Sequence, residues 1–282
     1  MTSEEIQPLI DRALAEDIGP GDYTALACVP DTAVNQAHII AKENGIIAGV
    51  QIAASVFRTL DPAIEVQLLK KDGDPIQKGE QALIIRGSSR TILSGERVAL
   101  NFMQRLSGIA TVANDLSKLV KPYGCRILDT RKTTPGLRKL EKWAVAVGGG
   151  TNHRMGLYDM MMIKENHSDF AGGLKNAISQ ANAYIDAEKL SIKIEVEARN
   201  LKELDEILSI GGVFRIMLDN FSIADLQTAV ERIGRRYETE ASGGITRANI
   251  EEYAKTGVDY ISVGALTHSV KSLDLSLLQL PY

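Results

Sequence analysis

Hydrophobic and polar positions along this chain follow two different rhythms, and the change comes near residue 126. Before it the pattern is mixed. Apolar residues at helical spacing predict a helix over 4–16, and strand-length apolar runs follow at 36–42, 64–69 and 81–86. Between the last two lies KKDGDPIQKGE, whose Asp-Gly and Asp-Pro pairs mark a hairpin connection. A long helix is predicted from Ser94 to about Val120, with Val98, Phe102, Leu106 and Ile109 on one face. After residue 126 short apolar runs each end in a polar residue or glycine: RILDTR, MMMIK, IKIEVE, FRIMLD, TEASGG and YISVGA. Amphipathic stretches such as 201–208, 223–233 and 247–255 separate the later runs. This alternation implies parallel strands joined by right-handed crossovers.

The runs end at Asp129, Lys164, Glu197, Asp219, Ser242 and Gly264. A closed ring brings such ends to one mouth, whereas an open sheet spreads them out. Six β/α units are visible, short of the eight of a full barrel, so the expectation is an α/β fold with an incomplete TIM-like barrel. The predicted domains are 1–113 and 114–282, with the last few residues packing back on the first.

Composition narrows the classes. The chain has 282 residues, 44% of them hydrophobic, the make-up of an ordinary globular protein. Its 32 Lys and Arg against 36 Asp and Glu give a formal net charge of -4, no electrostatic footprint for nucleic acid. Cys28 and Cys125 have no metal-ligand spacing and read as buried thiols. The acidic, helix-periodic start is unlike a signal peptide, and the apolar stretch 45–57 is too short to cross a bilayer. A cytoplasmic protein without membrane association is expected.

Against that charge, Arg131, Lys132, His153, Arg154 and Lys164 crowd into one stretch beside glycines and strand ends, the residue set for a small polyanion. Arg138, Lys139 and Lys142 sit with Glu141 at helical spacing and read as a solvated helix face. His153, flanked by Arg154 after a glycine-rich loop, reads as a donor to that anion. His38 reads as structural, and His167 as orienting its own loop. Ser242-Gly243-Gly244 and the segment from Gly264 to His268 follow the last two strands, where barrels place phosphate on backbone N–H groups. Glu197 and Asp219 end adjacent strands and suit ribose hydroxyls or Mg²⁺. Glu195 shares a strand face with Glu197 as a second acid.

Taken together, NFMQRLSGIAT, DTRKTTPGLR, GGGTNHRMGLYD, MMIKENH, EVE, LDN, ASGGI and GVDYISVGALTHS resemble the quinolinate phosphoribosyltransferases, also called nicotinate-nucleotide pyrophosphorylases (carboxylating), over most of 95–275. The resemblance implies an N-terminal α/β sandwich, an incomplete barrel, and at least a homodimer with shared active sites; dimer and hexamer stay open. It implies that Arg105 from the partner chain, with Arg131, His153, Arg154 and Lys164, surrounds the two carboxylates of quinolinate. Lys132 would lie between quinolinate and the diphosphate of 5-phosphoribosyl 1-diphosphate. Glu197 and Asp219 would bind the ribose, and Ser242, Gly243, Gly244, Gly264 and His268 the 5-phosphate side. Lys132, Glu197 and Asp219 would be catalytic, with Mg²⁺ held mainly by the diphosphate and also by Glu197 and Asp219. A transferase acting on nicotinate or nicotinamide and a non-catalytic metabolite sensor are the alternatives. Release of CO₂ and formation of nicotinate mononucleotide separate them.

Overall fold

A computed structural model describes residues 2–280, which group into two compact units. The first comprises residues up to 114, with 143–149 and the residues from 270 on; the second comprises 115–142 and 150–269.

In chain order the first unit contains α1 (Ser3–Ile18), α2 (Tyr23–Cys28), β1 (Val34–Ala41), β2 (Gly45–Ile46), α3 (Val50–Leu60), β3 (Glu65–Leu68), β4 (Pro75–Ile76) and β5 (Gln81–Ser88). Helix α4 (Ser89–Val120) leads from it into the second unit. That unit holds β6 (Arg126–Leu128), α5 (Arg138–Val147, whose end groups with the first unit), β7 (Met160–Ile163), α6 (Glu165–Phe170), α7 (Leu174–Glu188) and β8 (Lys193–Ala198). It continues with α8 (Leu201–Ile210), β9 (Arg215–Asp219), α9 (Ile223–Ile233), β10 (Glu238–Ser242), α10 (Ile250–Lys255), β11 (Tyr260–Ser262) and α11 (Ala265–His268). The chain then returns to the first unit as β12 (Leu275–Gln279).

The first unit is built on an antiparallel sheet of order β12-β1-β5-β3, with β2 and β4 paired separately. Alternation along β1 and β5 buries Ala37, Ile39, Leu83 and Ile85, and α3 buries Ile52, Val56 and Phe57. Helix α4 begins earlier than the periodicity predicted. The Ser88 hydroxyl accepts from the Thr91 amide at 3.4 Å, while Ser94, the expected start, donates to Asp22 at 2.9 Å. Gly148 has a packing role: a Cβ there would stand 2.3 Å from the Ala110 carbonyl oxygen.

In the second unit six parallel strands run in the order β6-β11-β10-β9-β8-β7, as the six apolar runs implied. Strand pairing does not close the ring. Strands β6 and β7 are its edges, and Leu128 bridges Thr151 on the segment leading from one toward the other. The turns after β8 and β9 are fixed by N-caps, Asn200 accepting from the Lys202 and Glu203 amides and Ser222 from that of Asp225. Helices α7, α8, α9 and α10 contact one another in sequence. One face of the sheet is apolar and buried: Ile194, Val196, Ile216, Leu218, Ala241 and Ile261. The other carries Met162, Glu195, Glu197, Arg215, Met217, Asp219, Glu240 and Ser242, a polar interior in place of the aliphatic layers usual in such barrels.

Two expectations are corrected. Lys142 and Glu141 do not lie on a solvated face; both are fully buried, because Lys142 pairs with Asp129 and Glu141 accepts from the Thr134 amide and hydroxyl at 3.0 and 2.7 Å. Of the cysteines, Cys125 is buried but Cys28, at the end of the short helix α2, is exposed. Burial pushes the Cys125 thiol up to about 12. Titration with a thiol reagent at pH 8 is therefore predicted to find one reactive thiol per folded chain and two after denaturation.

Candidate active site

The site is built from the floor upward. Asp129, just after β6, has no exposed surface and accepts from Lys142 Nζ, from Asn152 Nδ2 at 2.6 Å and from the His153 amide at 2.8 Å. Burial raises its pKa, and these donors oppose that rise. One carboxylate thus pins the loop that carries His153 and Arg154. Arg138 braces the neighbouring segment, donating to the Thr133 hydroxyl and to the Met155 and Arg131 carbonyls.

Above this frame lies a cavity of about 360 Å³, lined by Arg131, Lys132, His153, Arg154, Lys164 and Ser242 among others. Met162 on β7 and Ser262 on β11 line it too, although three strands separate β7 from β11, so the sheet curls around it. Met162 and Met217 provide apolar wall. The Nε atoms of Arg131 and Arg154 are buried without a protein hydrogen-bond partner. Burial, and then the like charge of Arg131, lowers the pKa of Arg154. Two adjacent guanidiniums with unspent buried donors are arranged for an anion that is planar and can accept in pairs.

Both ring nitrogens of His153 face protein groups. Nδ1 accepts the Arg154 amide at 2.7 Å, and Nε2 is 3.0 Å from Glu195 and 3.2 Å from Glu240. Burial disfavours a charged ring, while the two carboxylates favour it and raise its pKa. With Nδ1 accepting the Arg154 amide, the ring presents its Nε2 proton to the two carboxylates. Glu195 and Glu240 are themselves completely buried, and Arg215 lies 3.8 and 3.3 Å from them, with Glu238 at 2.8 Å and the Tyr260 ring centroid at 4.3 Å. His153, Glu195 and Glu240 have the composition of a metal site, but the Arg215 guanidinium supplies the positive charge there. Burial, and then Glu240, raise the Glu195 carboxyl to about 7.

The remaining candidates sit around the mouth. Lys164 pairs with Glu197 at 3.0 Å, so these two oppositely charged candidates hold each other. Asp219 pairs in register with Ser242 on the neighbouring strand. Gly264, His268 and Lys132 come together, since a Cβ on Gly264 would lie 3.2 Å from both side chains. Gly244 faces open space and Gly243 lies against Asn220. Arg105 belongs to the first unit, where its Nη1 donates to the Val270 carbonyl at 3.3 Å. His38 is buried with Nδ1 3.0 Å from Gln81, and His167 Nδ1 accepts the Lys164 amide.

Residues 22–107 match the family description "Quinolinate phosphoribosyl transferase, N-terminal domain", and residues 109–278 match its C-terminal counterpart. The chain belongs to the quinolinate phosphoribosyltransferase family. Among curated relatives, the chloroplastic nicotinate-nucleotide pyrophosphorylase [carboxylating] of Oryza sativa is 45% identical over 97% of this chain and 77% of its own length. Family members of known structure share the fold. NadC from Streptococcus pyogenes has a TM-score of 0.94 at 39% identity, covering 100% of this chain and 99% of its own. The nicotinate-nucleotide pyrophosphorylase of Francisella tularensis has 0.94 at 40%, covering 99% and 98%.

Three residues of this family member's interior escaped the reading of its sequence: Arg215, Glu240 and Lys142. The first two could have been found from the two-residue alternation, which places Arg215 on the face of Asp219 and Glu240 on that of Ser242. Lys142 gave no signal, since its heptad-like neighbours are those of any surface helix.

A pKa raised from 4.5 to about 7 means that the protonated form of Glu195 stabilises the fold. That contribution is complete below pH 4.5 and disappears as pH rises through about 7. Glu195→Gln, which mimics the protonated acid, is predicted to gain melting temperature relative to the parent between pH 5 and pH 8. A constant offset across that range would contradict the raised value.

Proposed function

We propose that the chain transfers the phosphoribosyl group of 5-phosphoribosyl 1-diphosphate to the ring nitrogen of quinolinate, with decarboxylation, giving nicotinate mononucleotide, diphosphate and CO₂ in NAD biosynthesis. The observation that carries this reading is the pair Arg131 and Arg154, whose buried Nε donors are unspent beside Lys132 and Lys164 in one cavity. A dicarboxylate needs that many fixed cations; one carboxylate needs fewer.

Arg131, Arg154 and Lys164 are assigned to the carboxylates of quinolinate, with Arg105 supplied by the partner chain of a homodimer; further assembly to a hexamer is compatible with it. Met162 and Met217 give the aromatic ring an apolar wall. On arrival of the substrates Lys164 leaves Glu197 for a carboxylate, which frees Glu197 for a ribose hydroxyl beside Asp219. Lys132, next to Gly264 and His268, bridges toward the diphosphate, and Ser242 and Gly244 complete the 5-phosphate side. The donor set at Glu197 and Asp219, carboxylate oxygens at adjacent strand ends, fits Mg²⁺. When bound, that ion supplies charge neutralisation to the departing diphosphate.

The reaction needs no protein nucleophile. The pyridine nitrogen donates its electron pair to C1 as the C1–O bond to diphosphate breaks, through an oxocarbenium-like state, so the protein contributes orientation and charge. Glu197 and Asp219 fix the ribose and place negative charge near C1. Once alkylated, the cationic ring accepts the electron pair left when the C2–carboxylate bond breaks; CO₂ departs and C2 takes up a proton. Among the described residues no helix is long and apolar enough to cross a membrane.

Incubation with quinolinate, 5-phosphoribosyl 1-diphosphate and Mg²⁺ is predicted to yield nicotinate mononucleotide and CO₂ in equal amounts. Product from nicotinate instead, or none, would refute the reading. Arg131→Ala is predicted to weaken quinolinate binding at least about tenfold, the worth of one charge-assisted hydrogen bond, and to leave phosphoribosyl diphosphate binding nearly unchanged. Equal losses for both ligands would contradict the assignment.

A further inference from the structure

Asp219 ends β9, and the residue after it has an unusual backbone. Asn220 sits at φ 57, in the left-handed region where Asn is tolerated better than other residues with a side chain. Its amide donates to the Ser242 carbonyl at 2.8 Å, which ties the end of β9 to the end of β10. Its side chain turns back, and Nδ2 donates to Asp219 Oδ2 at 2.6 Å. The place that the side chain occupies exists because residue 243 is glycine. A Cβ on Gly243 would lie 2.1 Å from Asn220 Oδ1 and 3.0 Å from its backbone nitrogen. Gly243 also has φ 95, so a side chain there would be strained as well as obstructed.

These facts change what Gly243 is for. Glycine after the β10 strand reads at first as room for phosphate. In the structure that room is filled by the side-chain carboxamide of Asn220, while Gly244, with open space around its Cβ position, is the glycine that leaves the loop accessible.

We propose that Asn220 is a positioning residue for Asp219, and that Gly243 serves the reaction by admitting the Asn220 side chain. The carboxamide holds one carboxylate oxygen of Asp219 and leaves the other for the ribose. A carboxylate on a strand end otherwise rotates among several orientations, and holding it in one removes that entropy from the binding step. The proposal rests on the reading above, in which Asp219 receives the ribose of 5-phosphoribosyl 1-diphosphate. The exposure of Asn220 makes it a clean target, since its replacement opens no cavity in the core.

The test is a double-mutant cycle with Asn220→Gly and Gly243→Ala, read as kcat and as KM for each substrate, with melting temperature as the folding control. Asn220→Gly keeps the left-handed turn and removes only the side chain. The expected result is a fall of about tenfold in kcat/KM for phosphoribosyl diphosphate, no change in KM for quinolinate, and a melting temperature within a degree or two of the parent. Gly243→Ala alone is expected to cost at least as much, and clearly less when added to Asn220→Gly, because the obstructing carboxamide is then gone. Asn220→Asp, which keeps the shape but replaces the donor with a second carboxylate, is expected to be no better than Asn220→Gly. If Asn220→Gly leaves the kinetics unchanged, the residue only shapes the turn and the proposal is overturned. If Gly243→Ala costs the same in both backgrounds, the glycine is not there to admit the carboxamide and the second half is overturned. A parent chain that fails to turn over quinolinate would instead refute the reading beneath, independently of either variant.

Discussion

The rest of the site depends on one buried cation. Arg215 lies inside the second unit with its guanidinium between Glu195, Glu238 and Glu240, and without it two fully buried carboxylates would stand uncompensated beneath a cavity lined by Arg131, Lys132, Arg154 and Lys164. At an effective dielectric constant of about 20, charges roughly 4 Å apart interact by about 4 kcal/mol, so an uncompensated carboxylate below the pocket would cancel much of what Arg131 or Arg154 offers above it. Removing one partner of such a buried group typically costs roughly 3–5 kcal/mol. The barrel interior therefore carries its charge in layers: a guanidinium beneath an acid pair, an imidazole on top of the pair, and cations around the rim.

That layering explains how rigidity reaches the loops. His153 is fastened at Nε2 to the acid pair and at Nδ1 to the amide of Arg154, so the orientation of a rim residue is set from the barrel floor. Asp129 and Lys142 do the same for the backbone at His153. Most of the binding groups sit on strand ends or on segments tied to them, and two of them, Arg131 and Arg154, keep a buried Nε donor unpaired. A buried donor with no partner is costly, and a protein that keeps two of them side by side gains that energy back when the anion binds.

The fold was largely legible. Six apolar runs with polar ends gave six parallel strands in one curled sheet, because strand ends and intervening amphipathic helices leave a period that survives in a single sequence. The cationic cluster was legible for a different reason: Arg131, Lys132, Arg154 and Lys164 stood out against an acidic chain. What stayed hidden was whatever depends on which way a side chain turns. Lys142 reads as surface by helical spacing and is buried because Asp129, thirteen positions earlier, waits for it. His153 reads as a donor to the anion, and its sequence gives no sign that its ring nitrogens face the Arg154 amide and two buried carboxylates. Asn220 looked like the tail of a motif, and only the close approach to Gly243 gives its carboxamide a task. Cys28, apolar by type, is exposed because α2 is too short to bury both its faces.

The most direct test of this account compares quinolinate affinity in Arg215→Met with that in Arg215→Met combined with Glu240→Gln, using calorimetric titration at pH 7.5 with melting temperatures recorded alongside. The single replacement leaves an uncancelled carboxylate under the pocket and is predicted to weaken binding by at least about tenfold, while the double restores most of the loss. Affinity that is unchanged in the single variant, or equally reduced in both while each remains folded, would show that the floor's charge does not govern the pocket.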